Sequence, residues 1–286
     1  MDIYSTGVMD MPQEWQSKIK VVESATELNK RLASQFADLL EKKTEQGELL
    51  TVICPVGPLD YRGFADEVVR RGLSCKNLRT INMDDYLDEF DQQISINHPL
   101  SFRRFMNETF FDHLPEEARP LPENIIFPDP DAPEEITRLI DDIGGADICW
   151  AGFGITGHVA FNDPPSMEEG QPNDLESFRN CKTRKLTISP MSFAQMAMGG
   201  TNGNLEILPT RAVTIGMYEM LKSKQFILTF MRNWHAGLWR RALLGPVTCD
   251  FPGSLVRNHP NLSVIMTQLA AELPMVNTAQ ATGEAV

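Results

Sequence analysis

The sequence predicts an α/β fold, a three-layer sandwich with a mostly parallel sheet between helices. Two observations carry this expectation. Short apolar runs with β-branched residues recur along the chain, and segments with apolar residues at spacings of three and four alternate with them. Such alternation builds a sheet covered on both faces. With no internal repeat and no linker, the 286 residues read as a single domain, 1–286, with its body over 25–270.

The elements follow in order. Ser24 and Thr26 precede a helical pattern running to about Glu45, with Leu28, Leu32, Phe36 and Leu39-Leu40 on its buried face. Residues 49–54 form a buried strand that Pro55-Val56-Gly57-Pro58 ends. Residues 61–72 return to helical spacing through Phe64, Val68 and Val69 and close at Gly72 as a C-cap. A strand over 78–83 leads into Asp84-Asp85-Tyr86, where the chain leaves the sheet. A helix over about 101–113, a short strand at 125–127 and a helix over 133–143 come next. The strand over 146–151 then enters a glycine loop. Residues 164–210, rich in Pro, Gly, Asn and Ser, read as a long excursion without regular elements. Strands at 212–216, 226–230 and 262–266 follow, with a helix over about 234–244 between the last two. The Ala/Thr/Gly-rich tail from Val276 is expected to be disordered.

Thirty-nine acids against 26 Lys and Arg give a net charge of −13, and no long basic run interrupts it. That balance repels a phosphate backbone and an anionic membrane surface, so no nucleic acid and no membrane partner is expected. The five cysteines are scattered without CxxC spacing and read as reduced thiols of a cytoplasmic protein. The amino terminus lacks the basic start and apolar run of a signal peptide, and no segment has the length of a membrane span.

Three candidate sites fall at carboxyl ends of strands, where an open α/β sheet gathers its ligands. The first is Gly57, whose loop could offer N–H groups to an anion, although Pro58 has none to give. The second is Asp84-Asp85. Two nearby acids push one pKa upward, which suits a proton carrier, while Asp88, Glu89 and Asp91 give Asp85 the look of a solvated loop acid. The third is Gly152-Phe153-Gly154-Ile155-Thr156-Gly157-His158, followed by Asp163. Here His158 could act as general acid or base, with Asp163 orienting it. HxH, HExxH and CxxC patterns are absent, so no metal is expected, and Ser166 and Ser254 lack the GxSxG elbow of a serine hydrolase.

Asn82-Met83-Asp84-Asp85-Tyr86, His98-Pro99, and Gly157-His158-Val159-Ala160-Phe161-Asn162-Asp163-Pro164 together resemble the glucosamine-6-phosphate deaminase/6-phosphogluconolactonase superfamily. So do Phe110-Phe111-Asp112-His113 and His259-Pro260-Asn261, and the resemblance is strongest to the deaminase (isomerase) branch. It implies a Rossmann-like fold, a homo-oligomer, and an enzyme of amino-sugar metabolism. The implied reaction is an aldose–ketose isomerisation that releases ammonia, acts on a small sugar or sugar phosphate and needs no cofactor. In that scheme Asp84 shuttles a proton between C1 and C2, His158 assists ring opening, and Asp163 stands where the family has a supporting Glu. Gly57, Asp85, Thr156, Gly157, Arg232 and His235 fall at substrate-binding positions.

The chain also departs from the family pattern. Thr156 replaces an Asp two residues before the histidine, Asp163 is one methylene short, and Gly57-Pro58-Leu59 replaces Gly-Gly-Thr/Ser. Met231-Arg232-Asn233-Trp234-His235 occupies the stretch where the family has a basic residue, and no phosphate-clamping Arg lies near Gln195–Gly200. Thr156 therefore predicts an incomplete proton relay, and Asp163 a shorter reach. Two alternatives stay open: a homologue acting on a different sugar or sugar acid, such as a lactonase, and a non-catalytic sugar-binding protein.

Overall fold

The computed structural model describes residues 2–167 and 170–274, so the tail from Val276 lies outside the described residues. Seven strands form one wholly parallel sheet: β1 (Ile19–Val22), β2 (Leu50–Cys54), β3 (Leu78–Asn82), β5 (Ile125–Ile126), β6 (Ile148–Ala151), β9 (Gln225–Phe230) and β10 (Leu262–Thr267). Their order across the sheet is β1-β10-β9-β6-β2-β3-β5. β2 and β6 are adjacent, with Ile53 opposite Cys149, and β6 pairs β9 with Trp150 opposite Ile227. Their buried side chains meet helices on both faces, as a parallel sheet requires.

On one face α1 (Ala25–Glu45) and α2 (Tyr61–Arg71) pack side by side. Ser24 caps α1 by accepting from the Glu27 N–H, and Gly72 ends α2 in the left-handed region at φ 66°. Phe36, Phe64 and Trp150 stack and cross there, with Phe36–Phe64 centroids 5.3 Å apart and Phe64–Trp150 also 5.3 Å. The α2 stripe is narrower than its spacing suggests. Val68 is buried while Val69 is half exposed, because consecutive helical residues diverge by about 100°. α4 (Glu134–Asp142), α7 (Met217–Leu221) and α8 (His235–Leu244) carry buried residues of the larger core cluster.

The excursion predicted for 164–210 is overturned. It contains α5 (Leu175–Arg179), β7 (Arg184–Thr187) and α6 (Pro190–Gly200). β4 (Asp84–Leu87), β8 (Arg211–Thr214) and β7 form a second, antiparallel sheet in the order β4-β8-β7. The segment near 212–216 is thus a strand, but it leaves the main sheet to pair Asp84 with Thr214. These strands have four residues each and find their partners across distant segments, so local spacing does not reveal them. β1 precedes the first element expected from the sequence and adds a strand to that expectation. The expected helix over 101–113 is α3 (Phe102–Met106) followed by a π turn over Asn107–Phe111.

All five cysteines are free, and burial pushes Cys54 and Cys75 up to about 12. No helix among the described residues is long and apolar enough to cross a membrane. Phe64→Ala should destabilise the protein by about 3–5 kcal/mol, since the cavity opens between two helices and the sheet. Urea unfolding followed by tryptophan fluorescence would report that loss, and a change below about 1 kcal/mol would contradict this packing.

Candidate active site

The carboxyl ends of β2, β3, β6 and β9 open into a cavity of about 650 Å³. Gly57, Asp84, His158, Arg232 and His235 line it. Asp85, Thr156, Gly157 and Asp163 do not; they stand behind the lining residues.

Asp84 begins β4 immediately after Met83, whose N–H donates to the Cys54 carbonyl and whose carbonyl accepts from Ile215. β4 is extended, so successive side chains face opposite ways. Asp84 turns to the cavity, and Asp85 turns into protein, fully buried. The solvated-loop expectation for Asp85 is corrected here. Its Oδ1 accepts from the N–H of Tyr86 at 2.9 Å and of Phe102 at 3.1 Å, and its Oδ2 from Arg103 Nε at 2.8 Å. Asp85 thereby fixes the start of α3, whose Phe102 and Phe105 line the cavity. Burial pushes Asp84 up to about 8, and the neighbouring Asp85 adds to the rise.

The glycine loop after β6 brings His158 back over its own start. A Cβ on Gly154 would fall 1.9 Å from His158 Nε2, so only glycine admits the ring. Gly157 adopts φ 80° and its missing side chain leaves room for Phe251, while Ala160 sits at φ 53°. These bends carry Asp163 to His158, with Oδ1 3.0 Å from Nδ1. The shorter side chain therefore reaches the imidazole.

The incomplete relay expected from Thr156 is corrected by the same geometry. Thr156 Oγ1 donates to Asp163 Oδ1 at 2.6 Å and lies 3.0 Å from His158 Nδ1. It supports the carboxylate that holds the ring. Because a carboxylate only accepts, Nδ1 carries the proton and Nε2 is left as the basic atom. Burial would raise the Asp163 carboxyl, but bonds from His158, Thr156 and Ser192 outweigh it and hold the group down at about 2.

Several residues escaped the sequence reading. Ser189 Oγ donates to Asp163 Oδ2 at 2.9 Å, and Ser192 Oγ donates to the same oxygen at 2.7 Å while lying 2.9 Å from His158 Nδ1. Both begin α6, which Ser189 caps and Pro190 opens. That Ser-Pro start was a readable helix signal. α6 also supplies Gln195 and Met196 to the cavity wall. The Tyr86 hydroxyl is buried without a hydrogen-bond partner and its side chain lines the cavity; no spacing rule points to it. On the β9 side, His235 Nδ1 accepts from the N–H of Met231 at 3.0 Å and of Arg232 at 3.2 Å. Burial, reinforced by the Arg232 charge, lowers His235 to about 4.

No family model matches the chain. It is 26% identical over 261 residues to a glucosamine-6-phosphate deaminase of Geobacillus sp. (strain WCH70), covering 89% of this chain and 96% of that one. A glucosamine-6-phosphate deaminase 1 of Bacillus subtilis (strain 168) is 27% identical, with 89% and 99% covered. The chain is related to the glucosamine-6-phosphate deaminases. The solved structure of a monomeric glucosamine-6-phosphate deaminase shares the fold at a TM-score of 0.75, with 24% identity over 90% of this chain and 99% of that one. A 6-phosphogluconolactonase from Trypanosoma cruzi shares it at 0.63, with 16% identity over 89% and 95%.

Two outcomes follow from the site. An acid whose folded pKa lies above its unfolded value holds an extra proton when folded, so Asp84 costs stability progressively as pH rises from about 4 to about 8. Asp84→Asn should raise the Tm at pH 8 and leave it nearly unchanged at pH 4; equal shifts at both would refute the buried-carboxyl account. Gly154→Ala should displace the His158 ring, read as an altered imidazole resonance in the NMR spectrum of a folded protein.

Proposed function

We propose that the protein is an enzyme of amino-sugar catabolism of the glucosamine-6-phosphate deaminase type. It would isomerise an opened 2-amino aldose, free or as its phosphate, to the ketose and release ammonia. One observation carries the reading: Asp84 and His158 line one cavity, and the histidine is held by a carboxylate behind it.

The chemistry assigns their roles. His158 Nε2 takes the proton of the C1 hydroxyl and delivers it to the ring oxygen as the C1–O5 bond breaks. The Asp163 carboxylate stabilises the imidazolium that exists between the two transfers. Asp84, ionised, removes the C2 proton from the open aldehyde and returns it to C1. That transfer leaves a C2 imine. Water adds to it and ammonia departs, so the sum is amino aldose plus water giving ketose plus ammonia. A raised pKa makes Asp84 a stronger base once ionised and a better donor in the return step. Thr156, Ser189 and Ser192 keep Asp163 ionised and aimed.

The test is to incubate the protein with glucosamine and with glucosamine-6-phosphate and measure ammonia and ketose. Asp84→Asn and His158→Gln should each lower kcat by about 10²–10⁴-fold. Release of ammonia no faster than by the Asp84→Asn protein would sink this reading; gluconolactone hydrolysis in the same preparation would replace it with the lactonase alternative. For the active enzyme, kcat/KM should climb as pH rises through about 8, where Asp84 ionises. A profile flat across that range would remove Asp84 as the base.

A further inference from the structure

α6 joins the histidine loop to the cavity along one stripe. Ser192, Gln195, Met196 and Gly199 recur at spacings of three and four, so they share a face of the helix. Ser192 Oγ reaches Asp163 Oδ2 at 2.7 Å, while Gln195, Met196 and Gly199 line the cavity. The stripe thus runs from the carboxylate that holds His158 to the space a substrate would fill. From Pro190 to Gly200 α6 has no charged residue, and Gln195 is its one side chain with N–H donors.

Gln195 Oε1 accepts from the Ile155 N–H at 2.7 Å. A backbone N–H can donate only to the oxygen of a carboxamide, so this bond fixes which end of the group is which. The other end, Nε2, carries two donors and has no partner among the described residues. Ser189 and Ser192 tie the start of α6 to Asp163, so the carboxamide is held in place before any ligand arrives.

The loop that Gln195 braces is the loop that carries His158. The imidazole lies over Gly154, where a Cβ would stand 1.9 Å from Nε2, and Gly154 is bonded to Ile155. Standard bond lengths then place the histidine Nε2 within about 9 Å of Gln195 Oε1. That span is short enough for one sugar to hydrogen-bond both side chains.

We infer that the Gln195 carboxamide binds the substrate: Oε1 stays on Ile155, and Nε2 donates to a hydroxyl of the sugar whose C1 hydroxyl meets His158. The identity of the sugar rests on the deaminase-type reading. Because a sugar hydroxyl is common to glucosamine and its 6-phosphate, losing the donor should affect both alike.

With the purified full chain, Gln195→Glu keeps an oxygen for the Ile155 N–H but replaces the donor by an acceptor. KM for either amino sugar should rise at least about tenfold, with kcat within about threefold of the wild-type value. Gln195→Met, which loses both brace and donor, should raise KM about three- to tenfold. A brace alone gives a different pattern, with normal KM in Gln195→Glu and impairment only in Gln195→Met. That pattern, an unchanged KM in both variants, or an effect confined to the 6-phosphate would overturn the inference and leave the deaminase reading intact. Should the wild-type protein turn over neither sugar, the deaminase reading fails and thermal shifts decide. A smaller rise in Tm with glucosamine and with its 6-phosphate in Gln195→Glu than in wild type sustains the contact; equal rises, or none, overturn it.

Discussion

The carboxylate of Asp163 is the point on which the candidate site depends. It accepts hydrogen bonds from Thr156 on the glycine loop and from Ser189 and Ser192 at the start of α6, and it holds His158 Nδ1. A buried carboxylate is costly unless its lone pairs are filled, and here both oxygens are used. Two chain segments, the glycine loop and the start of α6, converge on one charge. Removing that charge would release the tautomer of His158, the anchor of α6 and the closure of the loop together.

That convergence needs backbone freedom. The loop doubles back within five residues because Gly154 leaves space for the imidazole and Gly157 takes a positive φ. On β4 the demand is opposite: extended backbone separates Asp84 from Asp85. One carboxyl faces the cavity with its pKa raised, and the other becomes a structural acceptor for α3. Two adjacent and chemically identical residues thus acquire different work from strand geometry alone.

The cavity couples this proton-transfer apparatus to walls of a different character. Around the histidine the groups are polar and paired, whereas much of the remaining wall is apolar, with Arg232 and an uncharged His235 at the β9 end. The second sheet and α6 supply parts of both regions, through Asp84 and Tyr86 on β4 and through Ser192, Gln195 and Met196 on α6. The long connection between β6 and β9 therefore serves as a wall of the site.

Much of this was legible in the residues themselves. Apolar runs and helical spacing marked the parallel sheet and its helices, because burial on both faces leaves a local compositional trace. Asp84, His158 and Asp163 could be singled out because glycine loops and strand ends deliver side chains to one rim. What tertiary structure decided lies where the signal is not local. In the second sheet β4 pairs with β8 more than a hundred positions away and β7 pairs with β8 beyond any local window, so neither β4 nor β7 shows itself in a window of ten. Whether Thr156 breaks or supports the relay depends on where Asp163 lands, and that follows from loop curvature and not from side-chain length. Residue types named the groups able to move protons; only packing determined which of them face the cavity.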